Sequence, residues 1–279
     1  MQTIAGLTLR EAVRRRILLV TVVLAVTFLV LYGAGVHYGY KDIAAHAGPR
    51  SGPLQALAAP MFLSVGLYFG GFIIAFLAVM GAVGTISGEI ENGVMYAIVP
   101  RPVRRTEIVL GKFVGHGLML VIFAAIFYVA VLLIVRSNTG LSAPVKAEAI
   151  GLFCLQPVIL LAVTMYGATF LSTLANGVAV FMLYAVGVVG GMLEQIGNLA
   201  GSQTLVNIGI ISSLIMPADA IYRKIVYTLL TVPGVPMSSL MVGPFGSNSE
   251  PSAWMLAYTG LYILVFLFLA VRTFSRRDI

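Results

Sequence analysis

"GEIENGVMYAIVPRPVRRTEIVLGK", residues 88–112, carries both signs of charge and two prolines between two long apolar runs. Its neighbours suit hydrocarbon, so a polar insert this dense needs a surface or a partner to meet. Within residues 89–99, Ile90, Val94 and Ile98 recur at steps of four and predict one apolar stripe on a short surface helix. Glu89, Glu91 and Asn92 fall early in that helix, where its positive dipole end favours acids. Pro100 and Pro102 stop it, because proline removes a donor and pushes the preceding residue out of helical space. Thr106 can cap the next helix, with Glu107 in its first turn, and that helix runs through Gly111–Lys112 into the following apolar run. The insert reads as helix, rigid turn, helix.

Outward from the insert, 59% of the 279 residues are hydrophobic and only 10% charged, with a mean hydropathy of +1.01, where soluble domains average about 25% charged. An integral membrane protein follows. Apolar runs at Ile17–Val36, Met61–Ile86, Phe113–Val135, Ile150–Leu171, Val178–Ile196 and Trp254–Val271 each approach the roughly 20 residues that cross hydrocarbon as a helix. None alternates like a barrel strand, so the expected fold is an all-α bundle of six transmembrane helices forming one domain, 1–279. The first run is longer than the roughly 7–15 residues of a signal-peptide core, so it is expected to be a retained span.

With the N-terminus inside, Lys and Arg divide eleven against six, the basic side holding Arg10, Arg14–Arg16, the insert's Arg101, Arg104, Arg105 and Lys112, and Arg272, Arg276 and Arg277. Both termini are therefore expected in the cytoplasm, with the chain in the plasma membrane. The net +7 is mostly this topology signal, and no nucleic-acid partner is expected. Thr3 to Arg16 reads as an amphipathic interfacial helix, Ile4, Leu7 and Val13 opposing Arg10, Arg14 and Arg15. Residues 37–60 read as an outer loop and 197–253 as a longer one. The latter contains "TLVNIGIISSLIMPADAIYRKIVYTLL", which suits an interfacial helix or a re-entrant element.

"ISGEIENGVMYAIVPRPVRRTEIVLGK" resembles the signature region of the ABC transporter type 2 permeases: an acidic residue, a glycine, a short apolar stretch, a proline–arginine turn, then Gly-Lys opening the next span. Here these are Glu89 and Glu91, Gly93, Val94 to Val99, Pro102 with Arg104 and Arg105, and Gly111–Lys112. The six-span layout, the interfacial N-terminal helix and the long outer segment extend the resemblance over essentially the whole chain. It implies a cytoplasmic coupling helix between spans two and three, seated in a separate ABC ATPase subunit. It also implies a second permease chain, identical or not, to complete a pathway. Under it Glu89, Glu91, Asn92, Gly93, Arg101, Arg104 and Arg105 are the expected ATPase-coupling residues. ATP and Mg would belong to that partner. The chain itself has no Gly-x-x-x-x-Gly-Lys-Ser/Thr loop, since Lys112 is followed by Phe113, so no cofactor and no ATP hydrolysis are expected in it. A bundle with few fixed charges suits export of a lipid-like or amphipathic cargo. An ion-driven secondary carrier and a non-transporting membrane anchor are the alternatives; the first wants intramembrane charge or broken helices near the midplane.

No hydrolase or metalloprotease motif occurs. His37 and His46 fall on the outer side and His116 on the other, so no histidine metal site is expected, and the lone Cys154 can anchor no thiolate cluster. Glu194, near the outer end of span five, is expected to reach water. Methionines such as Met182 and Met192 are expected to pack. Gly66–Gly70, Gly84–Gly88, Gly111–Gly115 and Gly187–Gly191 have the spacing that lets helices approach closely, and Gly187, Gly190 and Gly191 are candidates for a dimer or helix-packing seam. Tyr68, Tyr128, Tyr166 and Tyr184 are candidate polar points along a pathway.

Overall fold

The computed structural model describes residues 2–45, 52–91, 105–140, 146–230 and 252–277, and among these every regular element is a helix. In chain order they are α1 (Gln2–Arg14), α2 (Arg16–Ala45), α3 (Gly52–Ala82), α4 (Ser87–Glu91), α5 (Arg105–Thr139), α6 (Ala147–Gly167), α7 (Thr173–Ala200), α8 (Gln203–Ile215), α9 (Ala218–Leu230) and α10 (Ala253–Arg276). Six are long and apolar enough to span: α2, α3 running on toward Glu89, α5, α6, α7 and α10. Helices are the form hydrocarbon demands, because each backbone N–H and C=O then finds its partner inside the segment.

The core lies where α3, α5 and α6 meet, around Leu63, Leu67, Ile74, Leu120, Tyr128, Phe153 and Leu160. Small residues set the spacing there. A Cβ at Gly70 would sit 2.1 Å from the Phe127 ring, and one at Gly66 2.6 Å from Val131, so α3 and α5 touch closely only because both positions lack one. By contrast, only 11% of the α2 span and 17% of the α10 span is buried, so these two helices form the flanks.

Three segments differ from expectation. Residues 37–45 continue α2 and 52–60 belong to α3, where an outer loop was expected. A helix already nucleated by a full span propagates at little cost, and Pro53 falls in the first turn of α3, where no donor is missed. At that end His37 Nδ1 lies 3.0 Å from Asn138 Oδ1 of α5.

α1 packs on α5 with small residues rather than with the Ile4–Leu7–Val13 stripe. Thr8 and Ala12 are buried while Leu7 and Val13 are exposed. A Cβ at Gly115 would lie 2.7 Å from the Ala5 carbonyl oxygen, so backbone meets backbone there. Leu7 and Val13 stay on the outside, as in a helix lying at a lipid interface, while Ile4 and Leu9 pack partly buried against the core.

The third difference is the hairpin. α8 and α9 meet at 110° around Met216–Pro217. α8 descends along α7: Val206 lies by Gly197, Ser212 by Gly190 and Met216 by Gly187. At 1.5 Å per residue that run is about 15 Å long. α9 then returns beside α6 and α3, with Gln156 Nε2 donating to the Ala218 carbonyl at 3.1 Å and Lys146 donating to that of Thr228. Residues 218–226 are all buried, so this pair is a bent helical hairpin set into the bundle, as a re-entrant element or a broken span is, rather than a helix resting on the surface.

Candidate functional site

Where α3 ends, the chain turns through residues 83–86 and enters α4, the described beginning of the 88–112 insert. Four helices meet at this turn. Lys112 of α5 is 6% exposed; its ammonium donates to the Thr85 carbonyl at 2.6 Å and pairs with the Glu89 carboxylate. One turn along α5, His116 is 3% exposed, with Nδ1 3.2 Å from the Lys112 carbonyl and Nε2 3.1 Å from that of Gly81 and 3.4 Å from the Thr85 hydroxyl. With its proton on Nδ1 the ring donates to the Lys112 carbonyl and accepts from Thr85; with its proton on Nε2 it donates to the Gly81 carbonyl instead.

Two further contacts extend the cluster. The Ser87 and Thr173 hydroxyls lie 2.9 Å apart, joining α4 to the first residue of α7. On the α1 side Arg15, at the bend into α2, pairs with Glu11 at 2.6 Å and reaches the Gly81 carbonyl at 3.5 Å. Partial burial alone would push the Glu11 carboxyl up, but the hydrogen bond and charge of Arg15 outweigh it and hold the group below its usual range. The turn is therefore gripped from α5 and α7, and the end of α3 beside it is held by Arg15. A lysine buried this deeply with a carboxylate partner is costly to break, because the survivor is left charged and unpaired.

Of the expected coupling residues, Glu89 turns inward to Lys112 with its side chain 19% exposed. Glu91 ends α4. Arg105 opens α5 and donates to the carbonyls of Phe274, Ser275 and Arg277, at 3.4, 3.2 and 2.6 Å, closing the end of α10. Asn92, Gly93, Arg101 and Arg104 lie outside the described residues. Lys112 and His116 deserved more weight from sequence alone: two ionisable groups one turn apart in an apolar run share a helix face and need a polar counterpart.

Gly187, Gly190 and Gly191 lie under this chain's own hairpin. A Cβ at Gly190 would come 1.5 Å from the Ser212 hydroxyl, and one at Gly191 1.7 Å from Asp219 Oδ2. Gly209 of α8 completes the contact, since a Cβ there would meet Glu194 at 2.3 Å and the Gly190 carbonyl at 2.7 Å. Beside this seam, Arg223 pairs with Glu194 at 2.6 Å and Asp219 at 3.1 Å, and donates to Ser213 at 2.8 Å. Glu194, expected at the water boundary, is 12% exposed and paired. Nothing in its sequence neighbourhood names a partner 29 residues away.

The four tyrosines do not line one path. Tyr68 and Tyr184 meet Tyr222 and Asp219 around a small cavity under the hairpin; Tyr128 lies in the core with its ring tilted against Phe153, and Tyr166 packs with Phe170 and Phe266. Among the described residues no three His, Cys, Asp or Glu side chains are grouped to hold a metal ion.

Comparison with known proteins adds two findings. Residues 2–279 match the family described as ABC-2 family transporter protein. A stretch of 111 residues, 39% of this chain, is 32% identical to the probable ABC transporter permease protein NosY of Stutzerimonas stutzeri and spans 40% of that protein.

Proposed function

The chain belongs to the ABC-2 transporter family, and from that premise we propose that it is one of two membrane chains lining a pathway driven by a separate cytoplasmic ABC ATPase. It is the non-catalytic, membrane-embedded permease subunit. Both termini and the 88–112 insert face the cytoplasm in this reading, in line with the excess of basic residues on that side.

The observation that carries the proposal is the grip on the turn at residues 83–91. Its contacts to α5 through Lys112 and to α7 through Ser87 mean that a push on the insert moves both helices together, while Arg15 holds the adjoining end of α3 at Gly81. A coupling segment requires that mechanical property, whereas a topology-setting loop does not. Glu91, Asn92, Gly93, Arg101 and Arg104 are the residues offered to the ATPase. Glu89 and Arg105 act behind them, fastening the segment's two ends to α5 and α10.

The second chain would meet the exposed apolar faces of α2 and α7, which include Leu24, Leu31, Val178, Met182 and Val186. The cargo class we favour is lipid-like or amphipathic, moving outward, because the bundle offers few fixed charges for a polar solute. The re-entrant hairpin closes the outer half.

Purification of the full chain in mild detergent, with mass spectrometry of bound partners and an ATPase assay, tests this. A stoichiometric ATPase whose association is lost on Glu91→Lys with Arg104→Glu supports the proposal. A clean oligomer without ATPase in several detergents, with ion-driven or no transport, would sink it.

A further inference from the structure

Leu264, Phe268, Arg272 and Arg276 follow one another at steps of four and so form one row along α10. Leu264 and Phe268 are 65% and 62% exposed on a helix that is mostly unburied. The row is thus apolar along the span and basic at its end, in the order that hydrocarbon and headgroups occur across one leaflet. Beside the basic half a groove of about 530 Å³ opens between the Thr169–Phe170 turn and α10, with Leu269 on its wall and Arg272, Arg276 and Arg277 around it. Phe170 is half exposed.

These arginines are not needed by the helix they end. Arg105 already donates to the Phe274, Ser275 and Arg277 carbonyls, and Arg277 is engaged with the Thr169 carbonyl at 2.6 Å. Arg272 and Arg276 are exposed and, among the described residues, have no acceptor. In sequence they stand with Arg277 against a single acid, Asp278. Two guanidinium forks one turn apart match the oxygens of a phosphate ester, and the groove is within the roughly 300–1,000 Å³ of ordinary ligand sites.

We infer that this groove seats the headgroup phosphate of an anionic phospholipid from the leaflet at the termini end, its acyl chains running along Phe268 and Leu264. A lipid is favoured over a free phosphate or a protein because the basic groups continue a lipid-facing apolar row and Phe170 and Leu269 supply an apolar wall. The inference does not depend on the ATPase reading. It adds a ligand at the helix end that Arg105 holds against the start of α5.

Native mass spectrometry of the full chain released from detergent, titrated with phosphatidylglycerol or phosphatidylcholine of equal acyl chains, tests it. The native chain should retain phosphatidylglycerol preferentially, and R272Q/R276Q should lower that retention about tenfold without changing phosphatidylcholine retention. R272K/R276K should keep most of the preference. If the glutamine variant does not fold, raising ammonium acetate from about 0.05 M to about 0.5 M on the native chain must shrink the preference instead. An undiminished preference in either arm overturns the inference. So does equal competition by glycerol phosphate, which would make this a free-phosphate site, or displacement of the lipid by a bound ATPase, which would make it a protein contact.

Discussion

Replacing Lys112 with methionine leaves the Glu89 carboxylate in its sheltered position without the ammonium that neutralises it. Losing one member of such a pair costs about 3–5 kcal/mol when fully buried, and less here because the Glu89 side chain keeps 19% of its surface. The expected outcome is a lower thermal midpoint for Lys112→Met in detergent, with much of the loss recovered in Lys112→Met/Glu89→Gln. A second variant separates mechanics from stability. Ser87→Ala removes the hydroxyl that faces Thr173 and donates to the Val83 carbonyl, so stability should fall by about 1 kcal/mol, while ATPase stimulation by the assembled complex falls if α7 receives motion through the Thr173 contact. At this scale the sequence was half legible. Lys112 stands out in an apolar run, but Thr85 and Ser87 look like ordinary small polar residues until the turn places them beside α5 and α7. Glu89 reads as an outward-facing acid because helix spacing shows which residues share a face and not which neighbour lies against it.

Among the elements, the hairpin is the most dependent on missing atoms. Gly190→Ala forces α8 away from α7, since its Cβ would meet both Cβ and Oγ of Ser212, and overpacking of this kind costs about 1–3 kcal/mol. Cysteine accessibility measured at Met216 and Tyr222, both buried, should rise in that variant while a control at Leu67 stays protected; equal protection at all three would argue against the seam. Gly115→Leu makes the corresponding test of α1, whose Ala5 carbonyl occupies that space. Proteolysis near Arg10 should accelerate with the remaining spans intact. The spans themselves were readable, because about 20 apolar residues have one economical conformation in hydrocarbon. Their ends were less so: α2 and α3 extend past their apolar cores on helix propagation, which hydropathy does not register. For α8 and α9, Arg223 and Lys224 pointed toward water until Glu194 and Asp219 supplied a reason to bury the arginine.

For the whole molecule, a tightly packed centre of α3, α5 and α6 predicts that association with a second chain uses outward apolar faces, such as that of α7. Cross-linking between introduced cysteines at Val178 or Met182 should produce a covalent dimer in membranes, and cysteine at Leu63 or Phe153 should not, since both are buried in one chain. Absence of the first product in native membranes would count against α7 and leave the exposed face of α2 around Leu24 and Leu31. The glycines of α7 illustrate why sequence could not choose between a seam within the chain and one between chains: the same spacing serves both, and only the position of α8 assigns it.

The ion pairs between the hairpin and α7 also bear on how the protein is made. A hairpin holding Asp219, Arg223 and Lys224 meets the translocon with an insertion penalty of about 2.5–3.5 kcal/mol for each such group placed at mid-bilayer. Glu194 offers a counter-charge only once α7 is in place, and α3 and α6 supply the remaining walls. Insertion of the hairpin is therefore expected as a late event in biogenesis, inside a nearly finished bundle. In vivo, Glu194→Leu should leave the six spans inserted while stranding the hairpin where membrane proteases reach it, and the chain would be lost through turnover before any failure of transport could be measured.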